Sequence, residues 1–251
     1  MGRLTGRVAL VTGAGQGVGQ GIAFALAADG AAVAVTGRTL AKVEATVATI
    51  RERGGKAIGL EVDVKEAQAL ERCVAEVVAQ LGGLHILVNN AQEVPHGDLF
   101  TVTDDAFTAG WESGPLATFR LMKLCHPHLK GNGSIINLGS SSAKRWDMTN
   151  YGPYAAVKEA IRQLTRAAAC EWATDGIRTN TILPLAASPA FAWWRETFKD
   201  EAEAFIKTVP MQYVGECEGD IGRFVATLCS DDCRYVNGQT IALDGGQAYL
   251  G

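Results

Sequence analysis

The chain has 251 residues, of which 47% are hydrophobic and 20% are charged, a balance typical of a globular protein with a sizeable core. Its formal net charge of -4 offers no overall attraction to nucleic acid or to an anionic membrane, which argues against both as partners. The six cysteines show no C-x-x-C spacing and no matching histidine spacing, so packing cysteines are favoured and no metal site is expected. No cationic leader with an apolar stretch precedes the first strand, so the sequence predicts a cytoplasmic protein.

The first predicted strand leads into a glycine-rich turn. The strand is the apolar run Val8–Val11, the turn spans Thr12–Gly19, and an apolar helical run follows at Ile22–Ala28. Glycine lets a pyrophosphate approach the backbone, and the helix start offers unpaired N–H groups and the positive end of a dipole. The turn is therefore predicted to bind phosphate groups. The alternative is a loop that only reverses the chain.

The remaining elements alternate between strands and helices. Apolar runs predict strands at Ala32–Thr36, Ala57–Val62, Ile86–Val88, Ser134–Leu138, Arg178–Leu183 and Gln239–Leu243. Helical spacing predicts helices at Thr39–Arg53, Lys65–Leu81, Asp104–His128, Tyr154–Trp172 and Glu218–Cys229. This alternation predicts an α/β fold, with one domain over residues 1–251 and a doubly wound parallel sheet of about seven strands between two layers of helices.

Residues 184–214 interrupt the alternation with three prolines and several aromatic side chains. The segment is too apolar for a linker, so it is predicted to be a partly helical insertion within the domain. Its aromatic content favours the wall of an apolar binding site, although each single aromatic residue is more often explained by packing within the insertion than by a substrate contact.

The end of the second strand bears on the choice of dinucleotide. In an open parallel sheet the ligand lies across the carboxyl ends of the strands, where a carboxylate selects NAD(H) by accepting hydrogen bonds from the ribose. No acid is present in Thr36–Thr39, and Arg38 can form paired, charge-assisted bonds to a 2′-phosphate. We therefore expect NADP(H) to be preferred over NAD(H). The alternative is that Arg38 is a solvated surface charge.

A phenol and an ammonium group share one face of a predicted helix. Tyr154 and Lys158 are four residues apart, one helical turn, and they follow the run Asn137–Ser140 at the end of the fifth strand. A phenol exchanges protons near neutral pH only if its anion is stabilised, and a neighbouring ammonium does this. The spacing alone also fits an ordinary exposed helix pair.

Taken together, the pattern T-G-x-x-x-G-x-G over Thr12–Gly19 and Y-x-x-x-K from Tyr154 to Lys158 resemble the short-chain dehydrogenase/reductase family over nearly the whole chain. The resemblance implies a Rossmann-type fold and a nicotinamide cofactor. It implies that Ser140 polarises a carbonyl oxygen, Tyr154 exchanges the proton and Lys158 also holds the nicotinamide ribose. Ser141 is an alternative to Ser140. The implied cofactor contacts are Gly13, Gln16, Gly17, Val18, Gly19, Arg38, Thr39, Asp63, Val64, Asn90, Ala91, Tyr154, Lys158, Pro184 and Ser188.

Three positions depart from the family pattern. Gln92 replaces the last glycine of N-N-A-G, and Leu185 replaces the glycine after Pro184. Gly114 stands where many relatives place an asparagine that holds a water in a proton relay. Ser113 or a water could take over that place, which would slow turnover without changing the reaction.

The sequence thus predicts an NADP(H)-dependent oxidoreductase acting on a hydrophobic ketone or secondary alcohol, as a carbonyl reductase or alcohol dehydrogenase. Two alternatives stay open: other chemistry at the same site, such as imine reduction, and a dinucleotide-binding regulator without turnover. By resemblance, residues 184–214 are expected to form a substrate lid. The protein is also expected to be a homotetramer, with Gln239–Gly251 near a subunit contact.

Overall fold

The computed structural model of the protein describes residues 2–144 and 150–248, which contain a sheet of seven parallel strands in the order β3-β2-β1-β4-β5-β6-β7. The strands are β1 Val8–Val11, β2 Ala32–Gly37, β3 Lys56–Glu61, β4 Ile86–Asn89, β5 Gly133–Leu138, β6 Ile177–Pro184 and β7 Thr240–Leu243. The helices are α1 Gly17–Ala28, α2 Leu40–Glu52, α3 Ala67–Leu81, α4 Asp104–Trp111, α5 Ala117–Leu129, α6 Gly152–Glu171, α7 Pro189–Thr197, α8 Lys199–Thr208 and α9 Arg223–Cys229. The predicted α/β fold with a doubly wound parallel sheet is therefore confirmed.

Strand β1 is central because its four residues are all buried and it pairs with both β2 and β4. The chain moves outward from β1 through β2 and β3, then returns to start β4 on the other side of β1. The strand order therefore reverses between β1 and β4. A crevice opens outside the carboxyl ends of the strands at such a reversal, and this is where doubly wound sheets bind ligands.

Side chains alternate along β1 between the two faces of the sheet, and each face has its own core. Ala9 and Val11 belong to a core cluster that includes Leu26 of α1. Val8 and Leu10 belong to a second cluster that includes Leu121 of α5. Both faces are therefore apolar, which explains why the strands read as short continuous apolar runs.

Two predicted helices are interrupted in the structure. The predicted helix Asp104–His128 is two α-helices joined by a π-helical turn at Glu112–Leu116. The turn contains Pro115, which lacks a backbone N–H and so cannot maintain the regular hydrogen-bond ladder. The predicted helix Glu218–Cys229 likewise begins with a π-helical turn, at Cys217–Gly222.

The segment 184–214 contains α7 and α8 and is partly helical, as predicted. Helix α7 begins after Ser188, whose hydroxyl accepts a hydrogen bond from the Phe191 N–H at 3.3 Å. The rings of Phe191, Trp194 and Phe205 pack together with centroid separations of 5.6–6.5 Å. Aromatic packing therefore holds the two helices together.

Within residues 2–144 and 150–248, no helix combines the length and apolar character that crossing a membrane requires. The same residues contain no group of three or more histidine, cysteine or acidic side chains placed to hold a metal ion.

Candidate active site

A cavity of about 470 Å³ lies at the carboxyl ends of β1, β2 and β4, where the strand order reverses. Eleven of the residues predicted to bind the cofactor line it: Gly13, Gln16, Gly17, Val18, Arg38, Thr39, Asp63, Val64, Asn90, Ala91 and Ser188. These residues come from turns far apart in sequence. The parallel sheet brings the turns together because all its strands end at this edge.

The glycine turn suits a phosphate group. Helix α1 begins at Gly17, its first turn contains no acid, and the Gln16 side chain does not cap its N–H groups. Gly17 has a φ of +62°, which side chains disfavour. A Cβ at Gly15 would lie 3.0 Å from the Lys42 Cβ. The first N–H groups of the helix are therefore accessible beside backbone that lacks side chains, and a pyrophosphate fits there.

Gly19 does not line this cavity, although the resemblance implies a cofactor contact for it. A Cβ at Gly19 would lie 2.4 Å from the Asn90 Nδ2 and 2.7 Å from the Gly13 carbonyl oxygen. The Asn90 amide in turn donates to the carbonyls of Thr12 and Gly13, at 2.8 and 3.0 Å. Gly19 thus allows Asn90 to hold the glycine turn against the end of β4.

Two charged residues that the sequence reasoning missed also line the cavity. The Lys42 ammonium donates to the Gln16 Oε1 at 2.6 Å, and the Glu93 Oε1 accepts from the Arg38 Nη1 at 2.7 Å. Lys42 lies in the first turn of α2, where the helix dipole disfavours a cation. This unfavourable position of Lys42 is the sequence feature that could have indicated a functional role for it. Nothing local to Glu93 indicates that it reaches Arg38.

A second cavity, of about 370 Å³, contains the predicted catalytic residues Ser140, Tyr154 and Lys158. Pro184 and Tyr151 also line it. Five residues line both cavities: Val18, Asn90, Gln92, Ser188 and Ala190. A ligand in the glycine-lined cavity can therefore extend directly toward the phenol and the ammonium group.

Three predicted side chains converge at the second cavity. Ser140 follows β5, and its hydroxyl is hydrogen-bonded to the Tyr154 phenol. Lys158 is buried on α6, with its Nζ 5.4 Å from the centre of the Tyr154 ring. The ammonium donates to the Leu138 carbonyl at 2.7 Å, which fixes it beneath the end of β5.

Burial controls the protonation of both groups in the free protein. It raises the pKa of Tyr154, and the nearby Tyr151 adds to this, whereas the hydrogen bond to Ser140 lowers the pKa in part. Burial also lowers the pKa of Lys158 to about 7. Loss of hydration is the largest cause for both groups, because burial disfavours the charged form of each side chain.

The three consecutive serines at residues 140–142 have different surroundings. Ser140 lines the cavity beside Tyr154, whereas the Ser141 hydroxyl is buried and donates to the Gln247 Oε1 at 3.1 Å. Ser142 lines the cavity as well, and its N–H donates to the Ser140 hydroxyl at 3.2 Å. The arrangement favours Ser140 over Ser141 as the partner of the phenol.

The Gln92 side chain fills the space left by Gly114. A Cβ at Gly114 would lie 2.4 Å from the Gln92 Oε1, and the Gln92 amide donates to the carbonyls of Gly110 and Glu93, at 2.8 and 2.7 Å. The Ser113 hydroxyl donates to the Ala109 carbonyl at 2.7 Å and accepts from the Glu93 N–H at 2.9 Å. Both side chains therefore brace the turn after β4 against α4.

One wall of the second cavity is apolar. Val94, Leu185, Phe191 and Trp194 contribute this apolar part of the lining. Leu185 replaces a glycine of the family pattern and adds to this wall.

Comparisons with known proteins agree with this geometry. The family model described as Enoyl-(Acyl carrier protein) reductase matches residues 13–248. The chain is 38% identical to the 12alpha-hydroxysteroid dehydrogenase of Clostridium sp., over 98% of each chain. A structure of 7 alpha-hydroxysteroid dehydrogenase with NADH and 7-oxo glycochenodeoxycholic acid is 30% identical, with a TM-score of 0.90, over 99% of this chain and 97% of that one. A variant of actinorhodin polyketide ketoreductase with NADPH is 28% identical, with a TM-score of 0.91, over 98% and 99%.

These relatives are dehydrogenases and a ketoreductase, and two of them are seen with nicotinamide dinucleotides. The matches extend over nearly the whole chain, and they support NAD(P)-dependent oxidoreduction of alcohols and ketones. With its seven-stranded sheet and glycine turn, the chain belongs to the short-chain dehydrogenase/reductase family.

Proposed function

We propose that the protein is an NADP(H)-dependent carbonyl reductase or alcohol dehydrogenase that acts on a hydrophobic ketone or secondary alcohol. The observation that carries this proposal is the continuity of the two cavities. The glycine-lined cavity would hold the adenosine and pyrophosphate part of a dinucleotide, and the lining that it shares with the second cavity would let the nicotinamide reach Ser140 and Tyr154. The relatives that act on hydroxyl and keto groups support the same chemistry.

The proposed cofactor site uses different residues for each part of the dinucleotide. The glycine turn and the start of α1 would hold the pyrophosphate, and Asp63 with Val64 would border the adenine. Arg38 and Lys42 offer two cations at the cavity wall, and their charges suit a 2′-phosphate. Residues of the nicotinamide half are Asn90, Ala91, Tyr154, Lys158, Pro184 and Ser188.

Each catalytic side chain has a distinct role. The bound nicotinamide supplies the hydride donor or acceptor. The Tyr154 phenol, like an unperturbed tyrosine, carries its proton at neutral pH, and burial raises its pKa further, so the phenol is a proton donor to a carbonyl oxygen during reduction. The Ser140 hydroxyl donates a second hydrogen bond to the same oxygen. Lys158, when protonated, stabilises the negative charge left on the Tyr154 oxygen.

The substrate is proposed to be apolar and bulky. The aromatic wall from α7 belongs to residues 184–214, which we assign as the substrate lid within a single domain. Since relatives act on hydroxysteroids, fused-ring ketones are the first class to test. The homotetramer implied by resemblance stays a prediction, and residues 249–251 of its expected contact lie outside the described part of the chain.

The direct experiment is a titration of the purified protein with NADPH and NADH, followed by nicotinamide absorbance with oxo-steroids, smaller bulky ketones and cyclic imines. NADPH binding with ketone-dependent oxidation supports the proposal. Oxidation only with imines would indicate an imine reductase. Binding without turnover on any of these substrates would indicate a regulator.

Replacing the phenol tests the catalytic assignment. We expect Tyr154→Phe to lower the turnover of an active substrate at least about 100-fold, since the proton donor is lost. Binding of NADPH should change less than about twofold, because the ring stays in place. The matched control is Tyr235→Phe at a fully exposed phenol, which should retain full activity. Turnover in Tyr154→Phe equal to that of the control would contradict the mechanism.

A further inference from the structure

A carboxylate lies on the cationic wall of the glycine-lined cavity. The Glu93 Oε1 accepts from the Arg38 Nη1 at 2.7 Å and forms an ion pair with the Lys65 Nζ at 3.0 Å. Glu93 follows β4, whereas Arg38 follows β2 and Lys65 follows β3. The side chain of Glu93 therefore reaches across the end of β1 to the two strands on its other side.

The three charged side chains differ in their exposure to solvent. About 58% of the Arg38 side chain is exposed, compared with 29% for Lys65 and 31% for Glu93. Arg38 and Glu93 line the cavity, whereas Lys65 is not one of its lining residues. Arg38 is therefore free to turn toward a ligand while Lys65 keeps hold of the carboxylate.

A 2′-phosphate and the Glu93 carboxylate require the same guanidinium hydrogen bonds. A phosphate group carries more negative charge than a carboxylate and has more acceptor oxygens, so it can displace Glu93 from Arg38. The displacement costs the existing ion pair, and the phosphate must also approach a fixed negative charge. NADH has no 2′-phosphate and does not require this exchange.

Resting on the NADP(H) assignment above, we propose that Glu93 is a specificity-determining residue that competes with the 2′-phosphate for Arg38. Glu93 weakens NADPH binding relative to NADH binding. Lys65 limits this penalty, because it retains the carboxylate when Arg38 turns to the phosphate. The preference between the two dinucleotides is therefore set by the Arg38–Glu93–Lys65 group rather than by Arg38 alone.

The test measures binding without turnover. Equilibrium titrations of the free protein use NADPH, NADH, adenosine 2′,5′-bisphosphate and 5′-AMP, with the wild type and the Glu93→Gln and Lys65→Met variants. Glutamine keeps the size of Glu93 but removes its charge. A partly exposed ion pair changes binding by about twofold to fivefold, so Glu93→Gln should tighten NADPH and the bisphosphate by that factor. NADH and 5′-AMP should change less.

Two further measurements separate competition from a general charge effect. Glu93→Gln should tighten NADPH binding less when it is added to Arg38→Ala than when it is made in the wild type, because no guanidinium remains to be released. Lys65→Met should weaken NADPH more than NADH, because Glu93 loses its second partner. An equal gain for both dinucleotides, or weaker NADPH binding in Glu93→Gln, would overturn the assignment of Glu93. Thermal unfolding of each variant confirms that it is folded.

The outcomes distinguish this inference from the proposed cofactor preference. If the wild type binds NADH more tightly than NADPH, the proposed preference is wrong. A shift toward NADPH in Glu93→Gln would still support the role of Glu93 in that case. If the wild type prefers NADPH and Glu93→Gln leaves the ratio unchanged, only the assignment of Glu93 fails.

Discussion

At the level of single residues, the hydroxyl of Ser140 and that of Ser141 have different environments although the residues are adjacent. The Ser140 hydroxyl is hydrogen-bonded to the Tyr154 phenol, and the Ser141 hydroxyl donates to the Gln247 Oε1. We expect Ser140→Ala to lower turnover about 100-fold, as is typical for the loss of one donor to a reacting oxygen. Ser141→Ala should keep its turnover and lose about 1 kcal/mol of stability. The reverse pattern in steady-state assays would assign the role to Ser141.

Lys158 couples stability to pH. Its pKa is about 7 in the folded protein, compared with about 10.4 for an unperturbed lysine. Between these values the unfolded chain binds more protons, so this group makes the free energy of unfolding rise with pH, by at most about 1.4 kcal/mol per pH unit. Below pH 7 both states are protonated and the destabilisation by Lys158 is complete.

Lys158→Met removes this titration. Over the range from pH 7 to pH 9, the stability of the variant relative to the wild type should therefore be greatest at pH 7 and should decline toward pH 9. The variant also leaves the Leu138 carbonyl without its donor, but that cost is independent of pH. Urea unfolding of both proteins at pH 7, 8 and 9 measures the difference. A difference that stays constant over this range would show that Lys158 is charged in the folded protein throughout.

At the level of secondary-structure elements, the π-helical turn between α4 and α5 is coupled to the turn after β4. A Cβ at Gly114 would lie 2.4 Å from the Gln92 Oε1 and 2.9 Å from the Val157 Cγ1. The two departures from the family pattern, Gln92 and Gly114, thus occupy one space. A side chain at one position requires a small residue at the other.

We expect Gly114→Ala to lower the free energy of unfolding by about 1–3 kcal/mol, as overpacking does in well-packed interiors. In a Gln92→Gly background, Gly114→Ala should lower the free energy of unfolding by less, because only the close contact with Val157 remains. Denaturant unfolding of the two single variants and the double variant gives the coupling energy. Additive effects would show that the two positions do not share this space.

The predicted elements agree with the structure wherever a local pattern was sufficient. Val8–Val11 was predicted with its observed bounds, because four apolar residues between polar neighbours leave little ambiguity. The helix predicted at Lys65–Leu81 begins instead at Ala67, after the turn that Asp63 stabilises by accepting from the Lys65 N–H. The break at Pro115 was missed because apolar periodicity continues on both sides of the π-helical turn.

At the level of the whole molecule, the first helix contacts the C-terminal part of the chain backbone to backbone. A Cβ at Gly21 would lie 2.3 Å from the Cys217 carbonyl carbon and oxygen, and one at Gly222 would lie 2.4 Å from the Gly21 carbonyl oxygen. No side-chain rotation relieves such a contact. The glycine turn at the start of α1 therefore depends on residues far from it in sequence.

We expect Gly21→Ala to destabilise the protein by about 2 kcal/mol or more, even though alanine is favoured over glycine in a helix. The matched control is Gly152→Ala in α6, where an added Cβ has no neighbour within 4 Å. That variant should be as stable as the wild type. Thermal unfolding compares the two, and equal stability of both variants would show that α1 moves away without penalty.

The sequence alone was enough to predict the succession of strands and helices along the chain, the glycine turn and the pairing of Tyr154 with Lys158. Each of these features depends on residues that are close together in sequence. Tertiary structure decided which side chains meet at the cavity. It paired Arg38 with Glu93, directed Ser140 rather than Ser141 toward the phenol, and shifted the pKa of Lys158 by burial. These properties depend on distances between residues far apart in the chain and on the loss of water around them, and no local pattern contains either quantity.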